Sequence, residues 1–386
     1  MDLRKLVDKI KPTFEKGGKL GFLHSTFDAF ETFLFVPNTV TRRGAHVRDC
    51  VDLKRVMIMV VIALVPAMLF GIWNTGYQHS EAFGLDWGFW QMIGHGLVKV
   101  LPLYIVAYLV GLGIEFVSAQ IKGHEVNEGY LVSGMLIPLI VPVDVPLWML
   151  AIAVAFAVII GKEVFGGTGM NIWNPALLTR AFLFFSYPSK MSGDLVWIGG
   201  MSRGAEAWQA GNGLVDGFSG ATPLADATLS NLQPKLWDMI VGTIPGSVGE
   251  TSVIAILIGA VILLWTGVAS WKIMFSSVLG GLAIGYLGYA AGATDLPGYY
   301  QLVMGGFLFG TVFMATDPVT SAQTECGKWI YGFLVGALAV TVRIWNPGYP
   351  EGMMLAILLM NTFAPLIDHY VVEGSIKRRA KKVKTA

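Results

Sequence analysis

Ile172-Trp173-Asn174-Pro175 and Ile344-Trp345-Asn346-Pro347 repeat one phrase within a single chain. Each stands just before an apolar run that ends in an aromatic residue and a proline, Phe185 with Pro188 and Phe363 with Pro365. Chance recurrence of Trp-Asn-Pro is improbable in 386 residues. In a chain this apolar, the repeat points to two related membrane halves with a site between them.

Hydrophobic residues make up 54% of the sequence and charged residues 14%, where a soluble domain carries about 25% charged residues. The deficit runs the length of the chain, so the composition describes a polytopic, all-α membrane protein. Its contacts are expected to be lipid and other protein subunits, with no nucleic acid. Cys50 and Cys326 are too few and too far apart for an iron–sulfur cluster or a cysteine-based zinc site, and no metal site is expected. In the polar first 55 residues, Leu23, Phe27, Phe30 and Leu34 form an apolar stripe. That stripe fits a helix on the membrane surface, or equally one packed on a partner subunit.

A bilayer core needs roughly 17–25 apolar residues of helix, fewer where a helix is broken. Ten segments qualify, at 56–73, 97–119, 130–143, 147–162, 176–187, 252–268, 273–291, 301–316, 329–344 and 353–372. The third and fifth are too short to span comfortably, a sign of interrupted helices lining a site. Arg42, Arg43, Arg48, Lys54 and Arg55 precede the first segment, and Lys377, Arg378, Arg379, Lys381, Lys382 and Lys384 follow the last. Both ends are therefore expected in the cytoplasm. Lys122, Lys162, Lys272 and Lys328 then fall on inner turns, and Glu81, Asp86 and Asp295 on outer ones. The loop 188–251 carries Asp194, Glu206, Asp216, Asp226, Asp238 and Glu250 against only Lys190, Arg203 and Lys235, an acidic balance that places it outside. Five segments per half is an odd number, so the second half enters upside down. The expected organisation is an arm (1–55), a first repeat (56–187), an outer loop (188–251), a second inverted repeat (252–372) and a basic tail (373–386).

Asp216-Gly217-Phe218-Ser219-Gly220-Ala221-Thr222-Pro223 lies in that outer loop. Such a string reads as a Gly/Ser turn, or as a flexible target that offers a modifying enzyme an accessible threonine oxygen. Lys162 to Asn171 is glycine-rich but lacks the Gly-Lys-Ser/Thr ending of a phosphate-binding loop. It reads as a tight inner turn; with Asn171, Asn174 and Arg180 nearby it can also hold a polar, planar ligand. Charges at membrane depth cost about 2.5–3.5 kcal/mol each and are usually functional. Glu115, Asp317 and Asp368 are the candidates, each able to ligate a hard cation such as Na⁺ or to relay a proton. The structural alternatives are a helix cap before Pro318 for Asp317 and an interfacial charge beside His369 for Asp368.

These residues carry a family resemblance. Asp216 to Thr222 resembles the flavinylation sequence Asp-Gly-x-Ser-Gly-Ala-Thr of the membrane subunits of sodium-pumping NADH:quinone reductases (Nqr) and of the related Rnf complex. His46 to Asp49, Val51 to Arg55, His124 to Gly129, Lys162 to Gly169 and Tyr349 to Ala356 resemble the B subunits of the sodium-pumping enzymes, nearly throughout the chain and in order. The resemblance implies FMN bound through a phosphoester to Thr222, within a motif that includes Asp216, Ser219, Gly220 and Ala221. A separate flavin transferase would attach it at the outer face, with FAD as donor. It also implies non-covalent riboflavin and a quinone site near Gly111 and Glu115; Asn171 and Asn174 are candidate cofactor contacts. The family's second glycine after Gly111 is Leu112 here, which puts inhibitor sensitivity in question. Glu115, Asp317 and Asp368 match acids linked in the family to sodium uptake.

The function implied is a subunit of a six-subunit complex in the bacterial inner membrane. It would pass electrons through FMN and riboflavin to ubiquinone while Na⁺ moves from cytoplasm to periplasm. With no nicotinamide fingerprint and no cluster ligands, the chain cannot take a hydride from NADH itself and needs partners. Two alternatives stand beside this one: an Rnf-type subunit that exchanges electrons between ferredoxin and NAD, and a secondary transporter with no redox role.

Overall fold

A computed structural model describes residues 3–14, 21, 24, 27, 31, 35, 41, 43–45, 53–122, 129–194, 196–200, 220–229, 235–346 and 351–385. Every regular element among them is helical. The principal helices are α1 (Leu3–Phe14), α2 (Leu53–Phe83), α3 (Phe89–Lys122), α4 (Tyr130–Ile140), α5 (Leu147–Gly161) and α6 (Pro175–Ser186). After two short helices, α7 (Pro223–Leu229) and α8 (Leu236–Val241), come α9 (Val253–Trp265), α10 (Trp271–Ala290), α11 (Glu325–Trp345) and α12 (Met353–Thr385). Between α10 and α11 the chain makes two short helical pieces, Tyr300–Val303 and Phe307–Phe309, and a π-helical turn, Gly310–Met314.

All ten expected segments are helical, but they are not alike. Six helices among the described residues are long and apolar enough to cross a membrane. The other four are α4, α6 and α9, of 11, 12 and 13 residues, and the broken stretch 300–314. The break has a visible cause. Gly305 takes φ +58°, and a side chain on Gly306 would strike the Glu250 carboxylate at 2.6 Å, so the backbone turns where glycine alone fits.

Helix α3 shows how sequence meets solvent in this fold. Its buried stripe is Gly96, Val100, Leu103, Ala107, Gly111, Glu115 and Ala119, mostly small residues at helical spacing. Its exposed face carries Leu101, Ile105, Leu109, Val117 and Ile121. Small inside and large apolar outside is the pattern expected when the surroundings are lipid, because close packing rather than hydrophobicity then selects the interior. The α10–α11 contact follows the same rule. A Cβ on Gly336 would lie 1.9 Å from the Ser277 carbonyl oxygen, and one on Gly280 2.1 Å from that of Phe333.

Several pairings recur in the two halves, although among the described residues the first helix packs closely on the second only in the first half, α2 on α3. In each, the second helix packs on the fourth, the fourth on the fifth, and the short or broken third on the first, second and fifth. Between halves, like meets like: α2 packs on α9, and α6 on α12. The indole N–H of Trp173 donates to Thr362 Oγ at 3.0 Å across the latter contact.

The repeated phrase does different local work in its two places. Asn174 caps α6, its side-chain oxygen accepting from the Ala176 N–H at 2.9 Å, with Pro175 in the first turn, where no N–H is needed. Asn346 instead ends α11, its N–H bonded to the Val342 carbonyl, and α12 begins only at Met353. In the arm, Lys11 and Arg4 of α1 reach Glu31 at 2.9 and 3.5 Å, and His24, Phe27 and Glu31 are helical. Of the expected stripe only Phe27, stacked on Phe14 at 4.8 Å, lies within the described residues; Leu23, Phe30 and Leu34 lie outside them.

Candidate functional site

Two cavities open at different levels of the bundle, and the short elements line both. The first encloses about 750 Å³ including its mouth, and gathers Val56, Lys162, Asn171, Asn174, Val268 and Asp317. The second measures about 1070 Å³ including its open mouth, and gathers Asp194, Trp197, Thr222, Glu250 and Glu351 around Arg180. Helix α2 measures their separation. Val60 lines the first, while the Asn74 side chain holds the carbonyl of Ile244, a lining residue of the second, at 3.0 Å. That is about 14 residues, or roughly 21 Å along a helix. Helix α6 begins at the first cavity with Pro175 and reaches the second with Arg180; the broken stretch runs from Gly305 in the second to Asp317 in the first.

Thr222 is half-buried, and its hydroxyl oxygen accepts from the Ala225 N–H at 3.3 Å, capping α7 ahead of Pro223. Gly220 is small for a steric reason, since a Cβ there would lie 2.2 Å from the Asp194 carbonyl oxygen. Ala221 is partly buried between Gly220 and Thr222; Asp216 and Ser219 lie outside the described residues. The segment before the motif is pinned to the helices: His79 Nδ1 lies 2.6 Å from the Gly199 carbonyl oxygen, and the Gly200 N–H donates to Asp144, which also pairs with Lys99 at 3.2 Å.

Facing Thr222 across the cavity, Arg180 donates to Glu250 at 2.7 Å and also pairs with Glu351. These three charges come from α6, from the segment before α9 and from the segment before α12, so they tie the halves together. Burial pushes the Glu351 carboxyl up to about 7; Arg180 opposes the rise, and Glu250 adds to it.

At the first cavity, Asn171 and Asn174 come together as expected, but on a different cavity from Thr222. Asp317 is partly buried and accepts from Val319 N–H at 3.1 Å, Thr320 Oγ at 2.9 Å and Asn174 Nδ2 at 3.4 Å. It thus caps its own turn and faces the cavity at once. Glu115 is 4% exposed and pairs with Lys162, itself 3% exposed. Lys162 lies on the turn after α5 and points inward, because a buried carboxylate would otherwise lack a counter-ion. Gly111 lies one turn from Glu115 and meets the ring of Tyr130, whose hydroxyl donates to the Ala107 carbonyl at 2.8 Å. Neither Gly111 nor Glu115 lines either cavity. Asp368 lines neither as well; it accepts from Gln323 N–H, Thr324 N–H and Thr324 Oγ at 2.7, 3.0 and 2.6 Å, fixing the start of α11.

Sequence reasoning missed the Arg180–Glu250–Glu351 cluster and the buried Arg343, which bonds the Gln301 carbonyl. Glu250 counted only toward the acidity of a loop. A charged residue inside an otherwise apolar run, as with Arg343 in α11, is the signal that could have found it.

Comparison with known proteins agrees over the same stretches. The family model described as NQR2, RnfD, RnfE matches residues 40–377. The B subunit of the Na(+)-translocating NADH-quinone reductase of Ectopseudomonas mendocina is 45% identical, covering 98% of this chain and 99% of that protein. The B subunits of the same reductase from Chromohalobacter salexigens and Azotobacter vinelandii are each 43% identical, covering 99% and 98% of this chain and 97% and 99% of their own lengths. With its repeated halves, broken helices and likeness from end to end, the chain belongs to the NQR2, RnfD, RnfE family.

Proposed function

We propose that the chain is the membrane-embedded B subunit of a Na⁺-translocating NADH:quinone reductase, with FMN esterified to Thr222. The observation that carries the flavin assignment is the placement of Thr222: a capping hydroxyl half-open to a cavity of about 1070 Å³. The cavity is open at its mouth, so a flavin can lie against the half-buried threonine with part of it outside the protein surface. An ester at the threonine oxygen removes its proton but leaves lone pairs, so the bond from the Ala225 N–H survives attachment. With FAD as donor, a flavin transferase would join Thr222 Oγ to the FMN phosphorus and release AMP. Gly220, close against the Asp194 carbonyl, sets the attachment point beside the segment that precedes the motif.

The first cavity suits riboflavin. Asn171 and Asn174 offer amide groups at its wall for the planar ring, and the Trp173 indole, tied to Thr362, closes one side of α6. When bound, the flavins supply electron transfer toward ubiquinone. The chain's own residues hold, orient and neutralise. Glu115 and Asp317 present carboxylates on an ion route, Asp368 secures the α11 turn beside it, and Gly111 seats the Tyr130 ring beside Glu115 on the stretch of α3 near which quinone would bind.

The arrangement of loops favours the inverted insertion. All segments at the first cavity (56–60, 129–133, 162–175, 268–269 and 316–319) are those expected inside; the segments at the second (191–197, 222–225, 244–251, 305 and 351) are those expected outside. Both termini would then be cytoplasmic, in the inner membrane, within a six-subunit complex. In-gel flavin fluorescence of the denatured chain tests the assignment. Wild type should fluoresce and Thr222→Ala should not; undiminished covalent fluorescence in Thr222→Ala would refute it.

A further inference from the structure

Glu115 and Lys162 form an ion pair that water scarcely reaches, each at most 4% exposed. The ammonium also stands 5.9 Å over the Tyr130 ring. Lys162 lines the first cavity, whereas Glu115 lies behind it. An ion arriving through that cavity therefore meets the lysine before the carboxylate. Asp317 lines the same cavity, and its partners are neutral donors: two side chains and a backbone N–H. No cationic side chain pairs with it among the described residues. Lys162 is committed to Glu115, and Asp317 on the same cavity wall has no ion pair of its own among the described residues, so one further monovalent cation balances the two carboxylates.

We propose that Lys162 is a tethered cation that occupies Glu115 between transport events, and that a transported Na⁺ takes Glu115 by displacing the lysine toward Asp317. This rests on the reading of the chain as a Na⁺-translocating subunit. Leaving a carboxylate buried without a partner is strongly unfavourable, so an emptied Glu115 needs a replacement charge as the ion departs. The lysine supplies it without opening the bundle to water. It also sets ion affinity, since Na⁺ binds Glu115 only as strongly as it outcompetes a charge already in place. Lysine suits the role because its ammonium is a compact point charge on a flexible stem. Arginine would grip the carboxylate through a planar, bidentate fork.

The test is the Na⁺ dependence of quinone reduction in the intact, flavin-loaded complex, with flavin content measured for each variant. Coupled sites commonly alter one another's affinity about 5- to 150-fold. Lys162→Gln removes the competitor and is expected to lower the half-saturating Na⁺ concentration by about fivefold or more. Lys162→Arg keeps the charge but holds it harder, and should raise that concentration. A purely structural lysine would give loss of complex or of turnover without opposite shifts. Half-saturation unchanged in both variants, or moved in the same direction by both, overturns the proposal. If Lys162→Gln does not assemble, Lys162→Arg decides alone: a raised value supports the proposal, and an unchanged or lowered one overturns it. A wild-type complex with no Na⁺ stimulation would overturn the parent reading, and the proposal with it.

Discussion

Thr222 and Asp368 show how a side chain can look chemical in the sequence and prove architectural as well. Both oxygens cap helices, one by accepting from Ala225 and the other by gathering two N–H groups and a hydroxyl at the start of α11. Asp368→Ala should therefore cost roughly 1–3 kcal/mol of stability, read as an earlier thermal transition of the complex. The capping role of Asp317 was legible from the proline after it. That of Asp368 was not, because its partners lie 44 and 45 residues away. The charged cluster was illegible for the same reason: Arg180 meets Glu250 and Glu351 at separations of 70 and 171 residues. Its pH response has a definite sign. The Glu351 carboxyl is raised from an ordinary 4.5 to about 7, so the folded protein binds more protons than the unfolded one between those values. This group's contribution then weakens stability as pH rises through that window. Glu351→Gln should flatten the fall in thermal stability between about pH 5 and 7; an unaltered slope would rule Glu351 out as its source.

At the scale of elements, the apolar runs announced all ten segments. What they could not announce was which would be broken. The stretch 301–316 reads as a continuous span, yet Gly305 and Gly306 turn it beside Glu250, a contact supplied by another part of the chain. The two Trp-Asn-Pro phrases likewise look equivalent, but only the first caps the helix that follows. One of the closest element contacts is between α10 and α11, where backbone meets backbone at Gly280 and Gly336. Gly336→Leu would drive a side chain into the Ser277 carbonyl. Overpacking of this kind costs about 1–3 kcal/mol or more. The expected outcome is little assembled complex in the membrane fraction, with Gly374→Leu, where nothing lies within 4 Å of a Cβ, as the tolerant control.

For the whole molecule, the recurring pairings of the two halves and the sorting of loops between two cavities describe one design. Elements too short to span bring polar groups to both ends, while six long helices shield them from lipid. The odd number of segments per half, read from the repeat, predicts that the copies insert in opposite senses. Single cysteines placed at Gly88 and Thr266, in a background lacking Cys50 and Cys326, check this. An impermeant thiol reagent should label position 88 from the periplasm and position 266 from the cytoplasm; labelling of both from one side would break the inverted scheme. The account as a whole depends on a flavin held at the outer cavity. Its most direct test is mass spectrometry of the peptide containing Thr222, taken from active complex made in cells that possess the flavin transferase. The prediction is a peptide heavier by esterified FMN, with fragmentation placing the group on Thr222. An unmodified peptide at full stoichiometry would contradict it.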